Sequence, residues 1–496
     1  MPGSAHIGLI AHARGAVAAM IGILLTFWSM LELSGFAPVD VDAIVLSVVV
    51  AVMLTRRDLG SKPRDRAVDL GVLAAATVAA ALVGLVEHEV VALGELLFVG
   101  ALAAFVWLRR FGPRATRLGT IATLPFIATL VTPLPIPVGG GFALWAIVGV
   151  LIAFGWASAV QWVSSSPAAT LARPTPHPAP PAPTPVPPPP APDDRRARRR
   201  LLPSTRMALQ LAVSLAAAFA VGHLLFPDHL VWPVITAFIV CSGNRGRGDV
   251  VYKGVLRVSG GLLGTVVATV AVGLGTPGGV GAVIGIFVLL AVALWLRPVS
   301  YAWWAACITA VLALLYGYFG QTGAGVLESR LLGVLWGGAI AIVASWFVLP
   351  VRTTDVLRRR SADALRALTA FVTVARDQGP ASAASLRTEA DLALDRVEQL
   401  APPLRAARRA AALAPGPLRR SLQRRPAAAG AELLDLVVGA RPELHAVASL
   451  GAGSDADSGL ASATAAASPA SSRPALTLLG ARLRAIRERL ASLRRP

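Results

Sequence analysis

The chain has 496 residues, 55% hydrophobic and only 15% charged, with a mean hydropathy of +0.65 and a formal net charge of +19. A soluble chain would carry about 25% charge, and here the apolar residues fall in runs long enough to cross a bilayer, so an all-α polytopic membrane protein is specified. The arginines sit in short loops between apolar runs and in the C-terminal tail, not in basic clusters interleaved with aromatics, so no nucleic-acid partner is expected.

In chain order, His12 and Arg14 precede a first apolar run at 15–33, too long for a cleaved signal peptide and read as a retained helix. Further runs fall at 41–55, 67–86, 90–108, 118–132 and 142–163, completing a first six-helix membrane repeat over 1–166. Residues 167–205 form a proline-rich and arginine-rich cytoplasmic linker, an extended polyproline spacer ending in Asp-Asp-Arg-Arg-Ala-Arg-Arg-Arg. A second series at 206–226, 231–242, 255–275, 279–296, 300–319 and 328–349 makes a second six-helix repeat over 206–350. The remainder, 351–496, is a polar cytoplasmic helical tail, with 451–472 expected to be disordered. Its helices are read at 352–378, 381–413, 431–450 and 474–493, packing on each other or on a second copy in a homo-oligomer.

Every second connection is basic (Arg56 to Arg66, Arg109 to Arg117, Arg195 to Arg200, Arg245 to Arg257, Arg297, Arg352 to Arg360), and the others hold almost no Lys or Arg. By the positive-inside rule this predicts about twelve spans with both termini cytoplasmic. The two series also align, at an offset of about 190 residues. Val41–Val50 lies over Val231–Val240, Trp107 and Arg109 over Trp295 and Arg297, and Trp156 over Trp346. Each series has an even number of spans, so the repeats should be parallel.

In each series the second run is short. Val231 to Cys241 would extend under ~20 Å, against a hydrocarbon core of ~30 Å. Short, proline-interrupted segments of this kind are where transporters place binding sites. Trp232 reads either as an interfacial anchor or, with Thr236 one turn on, as part of the substrate pathway. The following loop, Gly-Asn-Arg-Gly-Arg-Gly-Asp, has the glycine density of a phosphate loop but neither Gly-Lys-Ser/Thr nor a preceding strand. Arg257 opens the next span, placed either to snorkel or to meet an anionic substrate. Gly260 with Gly264, and Gly333 with Gly337, are small-xxx-small steps that suit close helix packing.

Ionisable residues inside spans are costly and point to pathways. Glu95 lies within the fourth run with no basic residue one turn away; it is the first choice for proton coupling, with Asp42 and Glu328 beside it. Glu32, Asp42, Glu328 and Arg330 lie near span ends, where interfacial solvation competes with function; Arg330 is nonetheless placed on the substrate pathway. His223 ends the seventh run. No metal-ligand spacing involves Cys241, Cys307 or the scattered histidines, and no catalytic constellation or nucleotide motif is present, so neither cofactor nor enzymatic activity is expected.

From Arg206 to Leu349 the chain resembles the fusaric acid resistance / aromatic acid exporter superfamily of integral membrane transporters. The carrying residues are Arg206, Trp232-Pro-x-x-Thr236, the basic loop, Arg257-x-x-Gly260-Gly-x-x-Gly264-Thr, and Arg330-Leu-Leu-Gly-x-x-x-Gly337-Gly. The first half joins the resemblance only through the internal repeat, and has Asp42 where the second has Trp232. The resemblance implies a multi-pass protein of the bacterial cytoplasmic membrane, its partners the lipid bilayer and a small organic anion. It implies proton-driven efflux of aromatic or hydrophobic organic acids. A passive anion channel, or a membrane scaffold acting through its tail, are the alternatives.

Overall fold

A computed structural model of the chain describes residues 3–55, 59, 62–131, 140–165, 202–273, 279–320, 324–379, 381–415, 426–452 and 469–492. The linker after 165 and most of the stretch 451–472 lie outside the described residues. Among the described residues the regular structure is helical. Those before Val351, apart from Arg245–Tyr252, form one compact unit, and Arg245–Tyr252 with the residues from Val351 onward form another.

The first unit contains α1 (Gly3–Phe36), α2 (Val41–Leu54), α3 (Pro63–Glu89), α4 (Val91–Trp107), α5 (Pro113–Val131) and α6 (Gly140–Ser165). They are followed by α7 (Pro203–Leu225), α8 (Val231–Cys241), α9 (Arg247–Gly273, of which the residues up to Tyr252 belong to the other unit), α10 (Val280–Leu296), α11 (Tyr301–Tyr318) and α12 (Ala324–Phe347). The starts follow from local chemistry. Pro63 and Pro203 occupy first-turn positions, where a missing N–H costs nothing. Ser300 caps α11 by accepting the Ala302 N–H at 3.2 Å. Eight helices are long and apolar enough to cross a membrane, while Val41–Leu54, Val231–Cys241 and Val280–Leu296 are apolar but shorter. Twelve crossings therefore exceed what helix length alone supplies; α5, with Pro125 inside it, meets neither description.

In both halves the second helix lies against the first and the sixth: α2 on α1 and α6, α8 on α7 and α12. Between halves, α4 packs on α7 and α1 on α10. Buried Gln210 of α7 donates through Nε2 to the Val348 and Leu349 carbonyls at 2.9 and 3.3 Å, satisfying acceptors where α12 ends.

The second unit is a helical bundle: α13 (Thr353–Gln378), α14 (Ala384–Glu398), α15 (Ala401–Leu413), α16 (Pro426–Val438), α17 (Arg441–Ala452) and α18 (Pro469–Ser492). Its core is built from Leu357, Leu368, Phe371, Leu394, Val397, Leu434, Leu444 and Ile486. The expected helix 381–413 is broken at Gln399–Leu400, because Pro402 and Pro403 suit a first turn and not a helix interior. Ion pairs such as Arg482–Glu443 at 2.6 Å and Arg408–Asp435 at 3.2 Å join its helices.

The glycine-rich loop from Arg245 to Tyr252 belongs to this unit. Glycines here serve turns: Gly243, just before it, has φ 61° and Gly246 φ 122°, a region costly for any residue with a Cβ. Gly246 also sits against Thr353, whose Oγ1 accepts the Gly248 N–H at 3.0 Å, while Arg247 N–H donates to the Val351 carbonyl at 3.0 Å. Arg245 donates to the Gln399 carbonyl at 3.1 Å, and Arg360 to that of Arg396, so both cap the end of α14. Burial, with Arg245 and Arg396 nearby, holds the Arg360 guanidinium below the ordinary arginine value, opposed by Asp249. Arg245–Tyr252 thus has a structural role within this unit as well as carrying positive charge.

Candidate anion site

The site grows from close packing of α8 on α12. A Cβ on Gly333 would stand 2.7 Å from Trp232 Cβ, and one on Gly337 would collide with the Pro233 carbonyl and lie 2.9 Å from Thr236 Cβ. The two glycines thus let the Trp232–Thr236 turn sit directly on the α12 backbone. One turn before Gly333, Arg330 lays its guanidinium over the Trp232 ring, 4.2 Å from the centroid. Tyr316 of α11 packs against the Trp232 ring, with ring centroids 5.5 Å apart at 45°. Trp232 is 3% exposed, so it is a wall inside the protein and not an interfacial anchor. Val131, Ile235 and Leu312 complete the apolar surroundings.

Arg257 arrives from α9. Gly260 packs on Ala302 and Ala305, and Gly264 on Ala306 and Thr309, so α9 and α11 run side by side in the same direction. Arg257 reaches forward to this level, its Nη1 standing 3.4 Å from Thr309 Oγ1. Gly261 faces Val334 of α12 at 3.6 Å and Gly338 faces Val258 at 3.9 Å, so α9 and α12 are antiparallel. In that register Arg330 lies level with the α9 turn that Arg257 reaches, and the two guanidiniums converge within electrostatic range.

Both arginines are 2% exposed. Among the described residues neither forms an ion pair with a carboxylate. Arg257 Nε, Arg330 Nε and Nη2, and the Oγ1 of fully buried Thr236 have no hydrogen-bond partner there. Buried charges are normally paired, because desolvation is severe. Two buried guanidiniums at one level, without a carboxylate partner among the described residues, form an environment suited to an anion.

The other residues singled out lie apart from this constellation. Glu95 of α4 meets His223 of α7: Oε1 and Nε2 are 2.5 Å apart, with Glu95 mostly buried and His223 about two-fifths exposed. Glu95 therefore does have a basic partner, from the other half of the chain, which neighbours in sequence could not reveal. Glu87, at the end of α3, lies within electrostatic reach of both. Asp42 is buried at the start of α2, its Oδ1 without a hydrogen-bond partner among the described residues. Glu328 is exposed. Sequence reasoning missed Thr309 and Tyr316; the polar residues of α11, with buried Leu312 between them, recur on one helical face, which was the available signal.

Helices of this length and apolarity define a multi-pass membrane protein. Residues 213–344 match the family described as fusaric acid resistance protein-like, a stretch that contains Trp232, Thr236, Arg257, Arg330 and all four packing glycines but neither Asp42 nor Glu95. No curated protein and no solved structure matches the chain. The family match and the apolar helices together indicate a membrane transporter.

Proposed function

We propose that the chain is a secondary transporter of the bacterial cytoplasmic membrane that exports aromatic or hydrophobic organic acids, coupled to proton movement. The supporting observation is the pair of buried guanidiniums, Arg257 and Arg330, without a carboxylate partner among the described residues. They are the groups that attract the substrate's charge. Thr236 supplies a hydrogen bond, and Trp232 with its apolar neighbours faces the hydrophobic body. Glu95 handles the proton, with His223 as its partner; Asp42 and Glu328 are secondary candidates. In this reading α5 and the shorter helices complete twelve crossings as two parallel six-helix repeats, with both termini cytoplasmic.

The test is flux in vesicles reconstituted with the full chain, using labelled benzoate with and without a pH gradient. Gradient-driven accumulation is expected. It should fall by about tenfold or more in Arg257→Gln, the scale set by losing one buried charge-assisted contact. In Glu95→Gln, flux should no longer respond to the gradient. Flux indifferent to the gradient in the wild-type chain would instead identify a passive anion channel. Absence of flux for any organic anion would refute the transporter reading.

A further inference from the structure

One carboxylate does not balance this site. Arg257 and Arg330 bring two positive charges to one level of a buried environment, and the Trp232 ring stabilises Arg330 without neutralising it. The first turn of α8, which carries Trp232, adds the positive end of a helix dipole. A singly charged acid would compensate one guanidinium and leave the other buried and unneutralised, so a second carboxylate adds to binding. The unpartnered donors are also divided: Nε on Arg257, and Nε and Nη2 on Arg330. They belong to two forks arriving from antiparallel helices, and one planar carboxylate satisfies one fork at a time.

We propose that this site takes a doubly negative organic acid, one carboxylate on each guanidinium. The inference rests on the transporter reading and specifies its substrate class by charge number. A bound dianion neutralises the site, whereas a bound monoanion leaves it cationic.

The test compares benzoate with isophthalate, which keeps the ring and adds one carboxylate; both are fully ionised near neutral pH. Binding to purified full-length protein is measured by equilibrium titration and by ligand-dependent thermal unfolding. The wild-type chain should bind isophthalate at least about tenfold more tightly than benzoate. In Arg257→Gln and in Arg330→Gln the preference should shrink to about twofold or less, since one cation remains. Arg257→Lys, which keeps the charge, should keep the preference. Ligand-free unfolding of each variant shows that it is folded; removal of an unpaired buried charge should not lower that midpoint. Equal binding of the two acids by wild-type protein, or a preference that survives both glutamine variants, overturns the proposal. If both acids bind alike and benzoate is transported, the two-charge inference fails while the transporter reading stands. If neither binds nor moves in vesicles, both readings fall.

Discussion

Removing a guanidinium from water costs several kcal/mol even after the protein relaxes around it. Arg257 and Arg330 both bear this cost without an ion-pair partner among the described residues, so they oppose the stability of the empty protein. Arg257→Gln or Arg330→Gln should therefore raise ligand-free stability, by about 1–3 kcal/mol, while cutting transport by about tenfold or more. Thermal unfolding beside vesicle flux checks this, and a loss of stability would show that the arginine has a structural partner. At this scale the sequence was partly legible. The spacing of Trp232, Thr236, Arg257 and Arg330 could be read from the sequence, but not their burial, since residues near span ends can equally be interfacial. The direction in which Arg257 extends could not, because an arginine at a span start can snorkel outward or reach inward, and packing decides. Nor could the partner of Glu95, since His223 comes close only when α4 packs on α7.

Among the elements, α8 has 11 residues and packs on α12 through Gly333 and Gly337. Nothing larger than hydrogen fits at Gly337, because the Pro233 carbonyl occupies the position of a Cβ. Gly337→Leu should push α8 away, costing about 2 kcal/mol or more and disordering the contact between Trp232 and Arg330. A lower unfolding midpoint with quenched or shifted tryptophan emission would report it; unchanged stability would contradict the packing. Gly35, exposed with open space at its Cβ, serves as the control, and Gly35→Leu should be near neutral. The shortness of α8 and the small-xxx-small steps were visible in the sequence because both depend on local residue size and run length. Helix ends were less visible: α9 starts at Arg247, well before its apolar run, since Asp249 in its first turn favours helix although hydropathy does not.

Across the whole molecule, membrane-type helices and a soluble-type bundle obey different rules. The bundle holds a conventional apolar core, and Phe371→Ala should cost it about 3–5 kcal/mol, read as loss of a thermal transition in the full chain. The membrane unit can be mapped by thiol chemistry, because Cys241 and Cys307 are the only cysteines and both are buried. The native chain should resist bulky maleimides in intact membranes. With both termini cytoplasmic, Lys62→Cys should label only from the cytoplasmic side and Gly35→Cys only from the opposite side. Labelling of both from one side would refute the proposed topology. The apolar membrane-type helices were the most legible feature of the sequence, because run length and composition are local. The attachment of the glycine-rich loop to the tail bundle was not legible, since it depends on hydrogen bonds to the Val351 carbonyl and the Thr353 hydroxyl more than a hundred positions away.

The two buried cations, without a carboxylate partner among the described residues, also bear on how such a carrier would respond to voltage. Moving one elementary charge through a membrane potential involves about 2.3 kcal/mol per 100 mV. A site neutralised by a dianion would change its exposure with little electrical work. The empty site, doubly positive, would be drawn toward the negative interior with about twice that driving energy per 100 mV. The membrane potential itself would then reset the unloaded carrier toward the cytoplasm, making its return electrogenic and its loaded step nearly silent in a current recording.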